Sequence, residues 1–499
     1  MAVETELKLR ISPEHLNRLK RHPLLKSLAI TRAITHKLHN IYFDTPGLDL
    51  HKQAMALRLR LIGQQWLQTL KGGGGVQAGL HSRDEWETPV SGEALDFAAL
   101  KACGAAHFPS ALRKKLRPVF VTDFSRNVRR LNFEGAEIEM CMDSGEIRAG
   151  EKSRQISEIE LELKSGEPLQ LFRLALVLLD IVPLEVEHTS KAEYGYWLFA
   201  DAKPAVIKAY IPDLAPCSEV NCALQSMIWA CLSHLQANVA GAVQKLDEEY
   251  LHQVRVALRR LRVVLGMAKV FRADAELAAL NQQVADLCVA LGRVREWDVF
   301  VSQTLAPIRA RLPEHAGLRA VLLASERLRE LHHAEVHNGL LSQDFQRMLL
   351  RFGVWMHGDY WRDKDAKLVD FAARILDRRR EQVAMRARNL KDADARQLHT
   401  LRIACKKLRY SMDVFSPLFA QAKAKRYVAA LSDLQDILGT LNDIAVAHRL
   451  LEELENDELH DSLVLISGWM AHEHAGLLLR YGRAWKKFAG KKVFWDKPG

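Results

Sequence analysis

The sequence predicts an α+β protein, with a β-rich N-terminal half followed by an all-helical C-terminal half. Three observations carry that expectation. Apolar residues recur at every second position up to about residue 200. They recur at three and four beyond about residue 218, and that helical half repeats internally.

The first strand is the opening stretch, MAVETELKLRI. Val3, Thr5, Leu7, Leu9 and Ile11 share one face; Glu4, Glu6, Lys8 and Arg10 share the other. LRLRL (57–61), SRDEWETPV (82–90), AEIEMCMD (136–143) and SEIELELK (157–164) alternate in the same way. Turn signals separate these strands at Asp44-Thr45-Pro46-Gly47, Gly72 to Gly75, Ser144-Gly145 and Ser165-Gly166. The stretch PLQLFRLALVLLDIV after the last turn has helical spacing. Three prolines in DAKPAVIKAYIPDLAPC (201–217) mark a boundary. The expected organisation is a domain at 1–202, a linker at 203–217 and a helical domain at 218–495.

In the helical half, HQVRVALRRLR from His252 lies over HTLRIACKKLR from His399, an offset of 147 positions. The same offset matches Asp247 with Asp394, Leu251 with Leu398 and Asp286 with Asp433. It also aligns LGRVREWDV (291–299) with LGTLNDIAV (438–446), with no gap. Two related helical bundles packed as one unit explain this simply.

Composition narrows the function classes. The chain is 48% hydrophobic and 26% charged, with a formal charge of +10. Up to residue 200 there are 27 basic and 25 acidic residues, against 44 and 36 beyond it. The anion-seeking field therefore belongs to the helical half. The seven cysteines contain no CxxC pair and read as reduced thiols of a cytoplasmic protein. No basic-then-apolar leader opens the sequence, and no run of 18 apolar residues occurs, so neither that secretion route nor a membrane span is expected. No helix-turn-helix, zinc-finger or RNP-like pattern points to sequence-specific nucleic-acid binding.

The charged strand faces carry the chemistry. One such face on one strand is ordinarily a solvated side of an antiparallel sheet. Here Arg83, Glu85 and Glu87 share a face, as do Glu137, Glu139 and Asp143, and Glu158, Glu160, Glu162 and Lys164. Arg58, Arg60 and Lys71 add cations. Glutamate is a poor strand residue, so its repeated use suggests one shared lining. If the sheet curls closed, the charged faces line a channel and the apolar faces pack outward. Clustered carboxylates suit a hard cation such as Mg2+ or Mn2+, and interleaved Arg and Lys suit phosphate oxygens. That pairing is the working set for phosphoryl transfer.

At ETELKLR the sequence resembles the ExExK signature of the CYTH superfamily, the triphosphate tunnel metalloenzymes. YFDTP, ALRLR, TLKG, SRDEWE, RPVFVTDFSR, EIEMCMDSG, EIELELKSG and SKAEYGY follow in the family's order over about residues 1–200. The resemblance implies an antiparallel β-barrel with a charged tunnel. It implies that Glu4, Glu6, Glu160 and Glu162 hold a divalent metal, with Glu137, Glu139 and Asp143 as further candidates. It assigns Lys8, Arg58, Arg60, Lys71, Arg83, Arg117, Arg126 and Lys191 to the triphosphate. Glu85 and Glu87 would position a second metal or the attacking water, and Lys191 is a candidate for activating that water.

In the helical half, His252, Arg255, Arg259 and Arg262 share one helix face, as do His399, Arg402, Lys406 and Arg409. Like charges so placed repel unless anions or neighbouring carboxylates such as Asp298 or Asp443 offset them. Neither histidine has a second His or Cys at metal-ligand spacing. The paired motif, with LGRVREWDV after it, resembles the CHAD domain. That resemblance implies two four-helix units with a basic central groove that binds inorganic polyphosphate. The second copy has Lys at 406 and 407, which keeps the charge, and Leu-Asn-Asp-Ile for Val-Arg-Glu-Trp at 441–444. The expected activity is metal-dependent hydrolysis of inorganic triphosphate to pyrophosphate and phosphate. Thiamine triphosphatase, adenylyl cyclase and a non-catalytic polyphosphate-binding scaffold are the alternatives.

Overall fold

The computed structural model describes residues 2–77, 79–105, 108–362, 366–388, 394–419, 421–455 and 457–495. For residues 2–4, 74, 76, 77, 83 and 421 it describes the backbone only. The strands are β1 (Ala2–Arg10), β2 (Ile34–Asp44), β3 (Ala56–Ile62), β4 (Gln65–Gln77), β5 (Leu80–Val90), β6 (Arg117–Phe133), β7 (Ala136–Ala149), β8 (Lys152–Ser165) and β9 (Glu185–Val186). The helices of the first 200 residues are α1 (Pro13–Lys20), α2 (Pro23–Ser27), α3 (Phe97–Ala102), α4 (Pro168–Leu179) and α5 (Lys191–Ala200). Then follow α6 (Val220–Val243), α7 (Glu248–Phe271), α8 (Ala275–Val299), α9 (Ala306–Arg311), α10 (Ala316–Leu341), α11 (Gln343–Met356), α12 (Leu368–Ala387), α13 (Ala395–Phe415), α14 (Gln421–Leu454) and α15 (His460–Ala489).

The sheet is antiparallel, in the order β5-β4-β3-β2-β6-β7-β8-β1-β9, and β1 also pairs with β5. That last pairing closes the sheet on itself, with Glu6 opposite His81 on one side and opposite Glu162 on the other. Closure sorts the alternating residues. Leu7, Leu9, Ile138, Met140, Ile159 and Leu161 point outward and are buried with Leu171, Phe172 and Leu178 of α4. The opposite faces turn their charges inward.

Two expected turns lie within strands. Ser144-Gly145 is inside β7, where Ser144 pairs with Ser125 and Ser157. Gly145 serves close packing there, since a Cβ on it would lie 2.1 Å from the Asp123 carbonyl oxygen. Gly72 to Gly75 lies in β4, where the register with β5 shifts, so the glycines make a bulge and not a turn. The Asp44-Thr45-Pro46-Gly47 turn is present. The buried Asp44 carboxylate accepts from the backbone N–H groups of Thr45 (2.7 Å), Leu50 (2.9 Å) and His51 (2.9 Å). A carboxylate with three N–H donors needs no cation to be stable when buried.

The chain forms two compact units, one of 1–208, 232–254 and 341–362, and a second of 209–231, 255–340 and 363–499. In the first, α11 packs on α4, and the side-chain oxygens of Gln343 and Gln346 accept from Leu184 N (3.0 Å) and Val186 N (2.9 Å). In the second, α12, α13, α14 and α15 pack in sequence. Corresponding helices start close to the 147-position offset: Val220 and Leu368, Glu248 and Ala395, Ala275 and Gln421.

One expectation about cysteine is corrected. Cys217 and Cys222 form a disulfide, while Cys103, Cys141, Cys231, Cys288 and Cys405 are free. The chain turns into α6 between the pair, and this brings their Cα atoms to 5.5 Å, within bridging range. A search for CxxC spacing misses a pair closed by such a turn. Among the described residues, no helix is long and apolar enough to cross a membrane.

Candidate active site: a charged tunnel, and a basic cluster on the helices

The barrel interior holds a cavity of about 620 Å³. Its cations are Lys8 from β1, Arg58 and Arg60 from β3, Lys71 from β4, Arg126 from β6, Lys164 from β8 and Lys191 from α5. Its carboxylates are Glu6, Glu85, Glu87, Glu139, Glu160 and Glu162. The two signs are partly segregated. Arg58, Arg60 and Lys71 sit on adjacent strands, whereas Glu6, Glu162 and Glu139 sit opposite one another across β1, β8 and β7.

Beneath the carboxylate side lies a buried ionic knot. Arg126 binds Asp143 through two bonds of 2.8 and 2.7 Å and also binds Glu160. Lys191 binds Asp143 (2.7 Å), Glu160 (3.0 Å) and Glu158. Lys8 binds Glu6 (2.9 Å) and Glu160. Burial opposes the Lys191 ammonium, but Asp143, Glu158 and Glu160 outweigh it and hold its pKa well above the usual lysine value. Burial likewise opposes the Glu160 carboxylate, and Lys191, Lys8 and Arg126 hold it well below its ordinary range. Glu158 is the exception, because burial prevails and raises it. Lys191 is therefore a fixed cation, and its amine is not free to accept a proton.

Helix α5 puts Lys191 in this knot. Ser190 caps the helix by accepting from Glu193 N (3.2 Å). Gly195 lets the helix press onto Phe120, because a Cβ there would fall 2.2 Å from the ring.

The cation side brings like charges together. Arg58 and Lys71 each reach Glu85 at 3.5 Å. Arg60 donates to Asn40 Oδ1 at 2.7 Å. Burial, then Arg58 and Arg126, push the Arg60 guanidinium down to about 10. Burial would raise the Tyr42 phenol, yet Arg58 lowers it. Burial opposes the Arg58 guanidinium too, but Tyr42 and Glu85 outweigh it and raise it. Three cations on two adjacent strands suit the oxygens of an anion.

The other predicted residues fall at the rim or beyond. Glu87 is exposed and accepts from Thr69 Oγ1 (3.0 Å). Glu137 pairs with Arg130 at 3.1 Å outside the cavity lining. Arg117 is exposed at the start of β6, where its Nη1 donates to Leu116 O (3.1 Å). Arg117 lies nine positions from Arg126 on β6, so strand alternation places the two on opposite faces, and the register shift between Tyr42 and Phe43 leaves Arg117 exposed. Glu4 and Arg83 are register partners, but their side chains lie outside the described residues. Sequence reasoning left Glu158, Tyr42 and Asn40 out of the site. Glu158 carried a usable signal, since it shares the period-two face of Glu160 and Glu162.

Asp143, Glu158 and Glu160 each offer an oxygen within 4.8 Å of the others, and the Lys191 ammonium already sits among them. An all-oxygen set suits Mg2+ or Mn2+ where carboxylates face the cavity instead. Of the carboxylates lining the cavity, Glu6, Glu139, Glu160 and Glu162 lie together on β1, β7 and β8.

On the helices, Arg255 and Arg259 of α7 meet Arg402 and Lys406 of α13, so the two copies of the motif converge. The Arg259 guanidinium lies over the Tyr410 ring at 5.5 Å. Burial, then Arg259 and Arg295, push Arg255 down to about 10. Burial, then Arg259, Arg402 and Arg255, push the Lys406 amine down to about 6. Arg402 Nε is buried without a hydrogen-bond partner among the described residues. Arg409 is engaged by Asp413 at 2.8 Å and by Ser432. His252, His399 and Arg262 are exposed, and His399 Nδ1 meets Asn442 Oδ1 at 2.6 Å.

A closed antiparallel barrel with a charged interior, followed by a duplicated helical domain, defines the class of this protein. The family models make it particular: the CYTH domain matches residues 2–196 and the CHAD domain matches residues 226–452. The chain thus carries a CYTH domain followed by a CHAD domain. An inorganic triphosphatase of Haemophilus influenzae is 39% identical over 199 residues, which is 40% of this chain and 55% of that protein. An uncharacterized protein of Mycobacterium tuberculosis is 25% identical over 438 residues, 82% of this chain and 81% of its own length. The crystal structure of the CHAD domain from the plant Ricinus communis superposes with a TM-score of 0.53 at 26% identity, covering 60% of this chain and all of that one.

Proposed function

We propose that this protein hydrolyses inorganic triphosphate to pyrophosphate and phosphate with Mg2+ or Mn2+, and that its helical domain binds polyphosphate. One observation carries the first part: a charged cavity in which Arg58, Arg60 and Lys71, with Arg60 crowded by Arg58 and Arg126, face a bank of carboxylates. The likeness to the Haemophilus inorganic triphosphatase supports the same substrate.

In this reading Arg58, Arg60, Lys71, Arg126 and Lys8 hold the phosphate oxygens, with arginine supplying paired donors. Glu6, Glu160 and Glu162, with Glu139, would hold the metal, which would supply charge neutralisation at the phosphate and a more acidic bound water. Asp143, engaged by Arg126 and Lys191, would support Glu160 from beneath. Glu85 and Glu87 orient that water. Its oxygen bonds to the terminal phosphorus as the bridging P–O bond breaks, the electron pair leaves on pyrophosphate, steadied by the cation side, and the water's proton passes to solvent. Lys191 and Lys8 keep the metal-facing carboxylates ionised and in place.

Polyphosphate binding rests on Arg255, Arg259, Arg402 and Lys406, whose mutual repulsion an anion relieves. A cytoplasmic setting belongs to the proposal. The five free thiols support it, and the Cys217–Cys222 disulfide weighs against it.

The test is initial-rate phosphate release from tripolyphosphate, thiamine triphosphate and ATP. The proposal expects tripolyphosphate to have the highest kcat/KM. Preference for thiamine triphosphate, or cyclic AMP formed from ATP, would replace it. In parallel, reversing Arg255, Arg259, Arg402 and Lys406 to Glu should remove polyphosphate binding in a gel-shift assay, and retained binding refutes that assignment.

A further inference from the structure

The two copies of the helical motif differ at one charge pair. In the second, Arg409 is neutralised by Asp413 at 2.8 Å, one turn on. In the first, the matching residues are Arg262 and Gly266, so Arg262 has no such acid. Another cation takes the space: a Cβ on Gly266 would lie 3.7 Å from Arg379 Nη2 of α12. Lys407 of α13 faces the same place. Burial, then Arg379, Arg262 and Arg386, lower its amine pKa. Arg379 and Arg386 spend one donor each on neutral groups, Gln382 Oε1 (3.2 Å) and Thr400 O (3.2 Å). Among the described residues, none of these four cations has a carboxylate at ion-pair distance.

A solvated basic face would spread such charges along one exposed helix. Here three helices bring them together, and the acid that neutralises the equivalent arginine in the other copy is missing. The second group also adjoins the first. Arg259 and Arg262 are one turn apart on α7, and Lys406 and Lys407 are consecutive on α13. Arg379 and Arg386 add two turns of α12, roughly 10 Å.

We propose that Arg262, Arg379, Arg386 and Lys407 form a second phosphate-binding surface that continues the Arg255–Lys406 cluster, so that the helical domain selects long polyphosphate chains over short ones. This rests on the polyphosphate reading above and adds chain-length selectivity to it. A short oligophosphate satisfies the first cluster alone, whereas a long chain crosses both. None of the four is an aromatic platform for bases, so a bare polyphosphate suits the surface better than a single-stranded nucleic acid.

The test compares binding of a short oligophosphate and of long-chain polyphosphate to the full chain, with EDTA present to arrest hydrolysis. The R262Q/R379Q/R386Q/K407Q variant should lose at least about tenfold in long-chain affinity and less than about twofold for the short ligand. Its log–log salt slope for the long chain should fall by about three. The R255Q/R259Q/R402Q/K406Q variant should weaken both ligands. A wild-type circular dichroism spectrum and a cooperative melt at or above the wild-type temperature certify that each variant is folded. Retained long-chain affinity in the first variant, or equal losses for both ligands, overturns the selectivity. A wild-type protein that binds neither phosphate ligand overturns the polyphosphate reading itself.

Discussion

Replacing Arg60 with glutamine should separate stability from activity in opposite directions. Arg60 is held by Asn40 at 2.7 Å. Burial, then Arg58 and Arg126, bring its guanidinium from 12.5 down to about 10. At pH 7 the group is charged in both folded and unfolded chains, so the whole difference is felt as a cost of folding. It amounts to at most about 3 kcal/mol. The hydrogen bond to Asn40 returns about 1 kcal/mol, and glutamine can keep a polar contact there. R60Q should therefore gain about 1–2 kcal/mol and melt a few degrees higher. The same change removes a charge from the cation side of the tunnel. Loss of one well-placed donor to developing phosphate charge costs about 100- to 1,000-fold in turnover. Scanning calorimetry and steady-state phosphate release on one preparation test both halves. A variant that melts lower, or turns over at the wild-type rate, refutes the reasoning.

Two further predictions follow from the same physics. Glu6→Gln should abolish hydrolysis while the protein stays folded, since Lys8 keeps Glu160 as a partner; undiminished turnover would exclude Glu6 from the metal set. Polyphosphate affinity should rise as pH falls from about 8 to about 6, because Lys406, pushed down to about 6, is neutral in the free protein and is recharged by a bound anion. K406R should bind with little of that slope, and a flat wild-type profile would contradict the assignment.

Periodicity made much of this molecule legible from its sequence. Strand alternation put Glu6, Lys8, Arg58, Arg60, Glu160 and Glu162 on shared faces, and the cavity lining contains all six. The 147-position repeat put Arg255 and Arg259 against Arg402 and Lys406, which meet on facing helices. What stayed hidden depends on tertiary geometry. Ser144-Gly145 carries a turn signal, yet this glycine serves a close backbone approach within a strand. Helix α11 has the period of the helical half but packs on α4, because its apolar face is specified while its partner is not. The ionic knot around Lys191 needed the fold, since Lys191 is far in sequence from β7 and only α5 brings it to Asp143.

The measurement that tests the central claim most directly is phosphate release from tripolyphosphate in Mg2+, repeated in Mn2+ and then with excess EDTA. Rapid release that EDTA stops is the predicted result. No release from folded protein with either metal, or release that continues in EDTA, would contradict the account of the tunnel as a metal-dependent triphosphatase site.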